Sequence, residues 1–342
     1  MPRPHHFASP SAFGAALRFE ADVRGHRWRM ERGLARAGRT GTRVVVGPWL
    51  SEIGFEVLYW IPLLRALLER SGVEPAQVTA ISRGGVADWY AGVADGYVDV
   101  HDLMDRDEFL AAQRSRVDTA GDEKQLQVTP LDCELWRRAG AADAVVVHPL
   151  AMYSRLRYWW AGEAGPDELR RRCDWRPFHA PEPPSGQLPE RFVAAKPYFS
   201  ACFPETPANL RFVSELLLEL AGALDVVLLS TGLRLDEHSE TDLADHERIH
   251  RLGDLEARTN LAEQTRVLAR ADGLVSTYGG PAYLGSFLGV PTVGIASVAN
   301  HNPRHLEAAR MAAAAMGAPA PILVDVDQAG ARLAALRAVG VE

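Results

Sequence analysis

LARADGLVSTYGGPAYLGSFLGVPTVGI, residues Leu268–Ile295, alternates apolar and polar blocks in a strand–helix–strand order. Gly273–Ser276 is a short apolar run and is predicted as a buried strand. Tyr278-Gly279-Gly280-Pro281 then opens a helix over Ala282–Leu288, and Thr292–Ile295 is a second strand. Paired glycines let a backbone approach a ligand closely. Proline suits the first turn of a helix, and the free N–H groups there suit a phosphate. The same residues equally make a plain strand-to-helix turn.

Working outward, the β–α alternation repeats. Strands are predicted at Phe192–Ala195, Asp225–Ser230, Arg248–Leu252 and Ile322–Val324. Helices are predicted at Pro207–Ala221, Leu261–Arg270, His305–Met316 and Ala329–Ala338. Upstream, Arg43–Val46, Val78–Ser82, Tyr97–Val100 and Ala144–Val147 read as strands, with a helix over Phe55–Glu69. The stretch APEPPSGQLPE, residues 180–190, is the best linker in the chain. The expected architecture is therefore α/β, two Rossmann-like doubly wound domains facing a cleft: 1–180, with a basic helical arm at 1–42, and 190–342. Ligands of such sheets bind beyond the carboxyl ends of the strands.

Composition agrees with this reading. The 342 residues are 47% apolar and 24% charged, ordinary globular usage. Cys133, Cys173 and Cys202 lie far apart with no metal-ligand spacing. Residues 1–43 hold nine Arg and three acids, a local charge of +6, so the remainder carries −13 of the net −7. An acidic body argues against a nucleic-acid partner. The basic arm is suited either to an anionic membrane surface or to ordinary packing as a solvated helix, Ser11–Ala37. No apolar run is long enough to span a bilayer, and MPRPHHFASP has no apolar signal region, so a cytoplasmic location is expected, with peripheral membrane contact through the arm as an option.

A second informative stretch is GPWLSEIGFEVLYWIPLLRALLER, Gly47–Arg70, where a strand runs into a loop and then a helix. Glu52 and Glu56 fall near the helix start, as capping acids or as candidate catalytic carboxylates. Trp49 lies in the same loop.

Together the two stretches resemble the glycosyltransferases of the GT-B fold, especially the heptosyltransferase family. Ala269-Arg270-Ala271-Asp272, Ser276, Gly280-Pro281 and Leu288-Gly289-Val290-Pro291-Thr292-Val293 match its donor-site segment. Glu56, followed six residues later by Pro62-Leu63-Leu64-Arg65-Ala66-Leu67, matches its entry motif. Where that family has Asp preceded by Gly, this chain has Glu56 preceded by Phe55. Its Asp-Ser and His become Tyr278-Gly279 and Tyr283. These departures argue against an ADP-heptose donor and for a related specificity, such as a surface-polysaccharide transferase.

The resemblance implies an inverting transfer from a nucleotide-sugar donor to a sugar, lipid-linked or small-molecule hydroxyl acceptor. Glu56 would be the general base, with Glu52 in reserve. The donor would meet Lys196, Thr231, Gly232, Arg234, Thr277, Tyr278, Gly279, Gly280, Pro281 and Asn302. His301 and His305 would lie near its nucleoside. Trp49, His148, Tyr153 and Arg155 would face the acceptor, where arginines bind phosphate and aromatic rings stack on sugars. No cofactor and no metal are expected: Asp105-Arg106-Asp107 and Asp325-Val326-Asp327 match D-x-D, but two carboxylates alone do not make a metal site. The alternatives are a nucleotide-sugar 2-epimerase or hydrolase of the same fold, or a non-catalytic nucleotide-sugar-binding protein.

Overall fold

Among the described residues, twelve strands, β1 (Val44–Val46), β2 (Val78–Ser82), β3 (Gly96–Asp99), β4 (Val145–Val147), β5 (Phe192–Lys196), β6 (Tyr198–Phe199), β7 (Asp225–Leu228), β8 (Ser239–Glu240), β9 (Ile249–Arg251), β10 (Gly273–Thr277), β11 (Thr292–Ala296) and β12 (Ile322–Asp325), fall into three sheets. The computed structural model describes residues 25, 27–121, 124–179, 182–184, 186–230, 239–240, 246–253, 255–297 and 302–341. The first sheet has the order β3-β2-β1-β4 and the second β12-β11-β10-β5-β7-β9, while β6 and β8 form a small antiparallel pair. Every pairing within the two large sheets is parallel.

Parallel strands need crossovers, and these crossovers bury both faces of each sheet, which is why the strands read as unbroken apolar runs. Val44–Val46 and Gly273–Thr277 are buried at every position. In both sheets the order runs outward in one direction and then reverses. The reversal falls between β1 and β4 in the first sheet and between β5 and β10 in the second. A crevice opens at the carboxyl end of such a reversal, and it is where doubly wound sheets take ligands.

The two sheets fall on either side of residues 180–190, and the segments around that stretch fasten them together. Phe178 stacks on Trp89 of the first half, with centroids 5.9 Å apart, and lies 5.0 Å from Phe287 of the second. Trp89 Nε1 donates to Thr265 Oγ1 at 3.1 Å, and Ala262 N donates to the Gly84 carbonyl at 2.8 Å. The helix Pro303–Met316 packs on the helix Gly280–Phe287 of its own half and also reaches the first. His305 Nδ1 lies 2.8 Å from the Tyr59 hydroxyl, and the Arg304 guanidinium sits over Trp159.

Several elements escaped the sequence pattern. The helix Arg106–Ala120 has few large apolar residues, Phe109, Leu110 and Val117, and no regular apolar stripe; Asp105 caps it by accepting from Glu108 N at 2.9 Å, and Gly121 ends it in a left-handed turn. Asp105-Arg106-Asp107 is therefore a helix start. Asp325 accepts from Asp327 N and from the Gln328 amide, so the second D-x-D is a turn. The helices Pro130–Arg138 and Pro166–Arg172 also lie where no element was expected. The predicted Ser11–Ala37 helix is present over residues 27–37 and continues to 40, and residues 1–24 lie outside the described residues.

Candidate functional site

The chain leaves β1 through Gly47-Pro48-Trp49. Trp49 is fully buried, stacked on Trp60 at 5.7 Å, and donates from Nε1 to the Glu52 carbonyl at 3.3 Å. Expected to face the acceptor, it instead braces the loop from within, because an indole this large gains most by full burial.

After the loop, a helical turn Ile53–Phe55 passes into a π-helical turn Glu56–Trp60, and only then into the α-helix Ile61–Arg70. The sequence pattern predicts one regular helix here. Pro62 explains the difference: it has no N–H to give the Leu58 carbonyl, and that carbonyl accepts from Trp175 Nε1 at 2.9 Å instead. Ile61 N bonds back to the Glu56 carbonyl, five residues away, which widens the turn.

Glu56 sits on this widened turn with no solvent exposure. Its Oε1 accepts from Ser82 Oγ at 2.6 Å and from the Tyr90 hydroxyl at 2.7 Å. Its Oε2 is buried without a hydrogen-bond partner among the described residues. Burial pushes the Glu56 carboxyl up to about 7, against the pull of those two hydrogen bonds. A second carboxylate lies nearby: Asp99 accepts from Gly85 N, the Tyr97 hydroxyl and His101 N. Burial raises it as well. Glu52, by contrast, is exposed at the start of the Ile53–Phe55 turn.

Across from this loop lies the reversal point of the second sheet. Lys196 ends β5 beside Ser276 of β10, and its Nζ donates to the Leu229 carbonyl at 2.9 Å. Thr277 ends β10, and its hydroxyl is committed to Tyr198: it accepts from Tyr198 N at 2.9 Å and donates to the Tyr198 carbonyl at 2.5 Å. Gly279 has φ of +151°, and a Cβ there would run into the Tyr198 hydroxyl. Gly280 begins the helix Gly280–Phe287, with Pro281 in its first turn. A Cβ on Gly280 would run into Ile53 and come within 3.0 Å of Gly54 N. The two motifs, one from each half, thus touch backbone to backbone.

The other expected residues are placed as follows. Tyr278 is buried edge-on to Tyr283. Asn302 caps the helix Pro303–Met316 by accepting from Arg304 N at 3.0 Å. Thr231, Gly232, Arg234 and His301 lie outside the described residues. His148, Tyr153 and Arg155 turn inward. His148 Nδ1 accepts from Leu150 N at 3.1 Å, and Nε2 lies 3.2 Å from Asp132 Oδ1, with both side chains fully buried. Tyr153 joins a ring cluster with Phe55 and Trp160. Arg155 pairs with Glu31 at 2.5 Å and so ties the N-terminal helix to the body. Each is turned by its own neighbours: His148 lies just past β4 against Asp132, while Tyr153 and Arg155, two residues apart on the helix Leu150–Trp160, face nearly opposite sides of it, toward the ring cluster and toward Glu31.

Sequence reasoning missed Ser82 and Tyr90, which hold Glu56, and Tyr198, which closes over Gly279. Ser82 ends a predicted strand, so its place at a carboxyl end was available as a signal. Tyr90 and Tyr198 carried none.

No family model matches the chain, and no curated protein matches it in sequence. Among solved structures it is similar to the iron-containing dodecameric glycosyltransferase TibC of enterotoxigenic E. coli, at 8% identity over 74% of this chain and 58% of that one, TM-score 0.40. It thus spans less than two thirds of that protein's length. It is also similar to E. coli ADP-heptose LPS heptosyltransferase II, at 12% identity over 75% of this chain and 84% of that one, TM-score 0.44. A third similar structure is the UDP-GlcNAc 2-epimerase of Methanocaldococcus jannaschii, at 10% identity over 86% and 91% of the two chains, TM-score 0.37.

Proposed function

We propose that the chain is an inverting, metal-independent glycosyltransferase of the GT-B type, moving a hexosyl or heptosyl unit from a nucleotide-sugar to a hydroxyl acceptor in surface-polysaccharide or glycolipid synthesis. One observation carries the reading. The Glu52–Glu56 loop of the first half and the Gly279–Gly280 turn of the second meet at Gly54 and Gly280, each at the strand ends beside its own sheet's reversal.

In this reading the donor diphosphate lies between Lys196 and the first N–H groups of the helix Gly280–Phe287, where charge-assisted hydrogen bonds meet the negative charge that gathers on the leaving group. Glu56 takes the acceptor proton on Oε2 while Ser82 and Tyr90 hold Oε1. A carboxyl titrating near 7 suits a general base at neutral pH. Because Glu56 is fully buried, acceptor entry requires the halves to part along the Gly54–Gly280 contact. The donor end offers a cation and backbone amides, which supports transfer without a metal.

The test begins with melting shifts across UDP-, GDP-, ADP-, CMP- and dTDP-sugars, since a ligand at about 100 times its Kd stabilises by ~2.7 kcal/mol. With the donor in hand, Glu56→Gln should lose transfer about 10²–10⁴-fold with donor affinity kept, and EDTA should leave wild-type transfer unchanged. Near-normal turnover by Glu56→Gln would move the base to Glu52. Full donor turnover without any acceptor would replace transfer by epimerisation or hydrolysis.

A further inference from the structure

The helix at residues 27–40 presents two unlike faces. Met30, Leu34 and Ala37 are buried against the body. Arg29, Arg32, Arg36 and Arg39 recur at helical spacing on the opposite side, and all four are exposed. Among the described residues none of the four is in an ion pair; the helix's single acid, Glu31, is engaged by Arg27 and Arg155.

Beside this stripe stands Trp28, the most exposed large apolar side chain among the described residues, at 59%. The Arg32 guanidinium sits over its ring, 5.2 Å from the centroid. The adjoining helix Leu150–Trp160, tied on by Arg155–Glu31, repeats the arrangement: Tyr158 is 48% exposed, with the Arg157 guanidinium 4.6 Å from its ring centre. One stacked guanidinium accounts for Arg32, but burial of neither the indole nor the other three arginines in this protein explains the rest of the face.

We infer that this arginine stripe, with Trp28 at its edge, docks the protein on an anionic lipid bilayer. Guanidinium groups meet the headgroup charge, and indole and phenol rings sit at headgroup depth, with one end apolar and the other wet. The exposed rings favour a bilayer over a nucleic acid. The inference does not depend on the proposed transfer chemistry.

The test is co-sedimentation of the full chain with extruded vesicles of phosphatidylglycerol and phosphatidylcholine, about 3:7, against pure phosphatidylcholine. Each arginine near an anionic surface contributes about fivefold to partitioning. Wild type should bind the anionic vesicles alone. The triple variant Arg29→Gln/Arg32→Gln/Arg36→Gln should bind about a hundredfold more weakly, and the corresponding Arg→Lys triple should keep most of the binding. Trp28→Phe should remove most of the blue shift of tryptophan emission on vesicles, since of the eight tryptophans Trp28 alone is exposed, the other seven being buried or half-buried. The inference fails if the neutral triple variant binds like wild type, which would place the contact in residues 1–24 or elsewhere. It also fails if a short DNA duplex strips wild type from the vesicles.

Discussion

Replacing Glu56 by glutamine should change how stability depends on pH, and this can be measured before any substrate is known. The carboxyl titrates near 7 in the folded protein because burial outweighs the hydrogen bonds from Ser82 and Tyr90. In the unfolded chain it titrates at its ordinary value of 4.5. The folded state therefore holds this proton more tightly, and Glu56's contribution is fully present below pH ~4.5 and is lost as pH rises through ~7. The difference of about 2.5 units corresponds to about 3 kcal/mol at 1.36 kcal/mol per unit. Most of it, about 2–3 kcal/mol, falls between pH 5 and pH 8.

Glutamine has nearly the same shape, keeps an oxygen for Ser82 and Tyr90, and never ionises. The variant should be close to wild type at pH 5, set back only by the unpaired amide now standing where Oε2 was. At pH 8 it should have gained about 2–3 kcal/mol on wild type. Urea unfolding of both proteins at pH 5, 6, 7 and 8 reads this directly, because every other titrating group is common to the pair. Parallel stability curves would show that Glu56 is ionised across the range. The argument for an orphaned carboxyl oxygen poised near neutrality would then fall.

Two further outcomes follow from the seam between the halves. Gly280→Val should cost about 1–3 kcal/mol in urea unfolding, with Gly280→Ala between it and wild type, because the new side chain must displace Ile53 or Gly54; an unchanged midpoint would mean the two loops do not touch. His305 runs opposite to Glu56: burial and then Lys124 lower it to about 4 from 6.5, so its contribution is present above pH ~6.5 and fades as pH falls toward 4. His305→Gln should flatten the acid limb of the stability curve by up to about 3 kcal/mol, and an unaltered limb would refute a neutral His305 bonded to Tyr59.

What the sequence determined by itself is local. Val44–Val46 and Gly273–Thr277 are short runs rich in valine and threonine with glycines close behind, and that length with those flanks suits a strand buried on both faces. The alternation with helices then fixes parallel sheets, and the glycine turn at 279–280 is legible because those positions tolerate no side chain. The arm's charge was legible as a count. The helix Arg106–Ala120 was not, since its stability comes from a cap at Asp105 and packing that no apolar period announces.

Only the tertiary structure decided what each marked residue does. Trp49, His148 and Arg155 have the chemistry of a binding site, but their neighbours turn them inward, and a side chain's direction depends on elements more than a hundred residues away, such as Glu31 for Arg155. Glu56 was legible as a carboxylate near a helix start. Its raised titration, its partners Ser82 and Tyr90 and its free oxygen arise from Pro62 widening the turn and from strands that meet only in the fold. Spacing along a chain sets which groups are available, while burial and proximity, which set their energies, belong to the packed molecule.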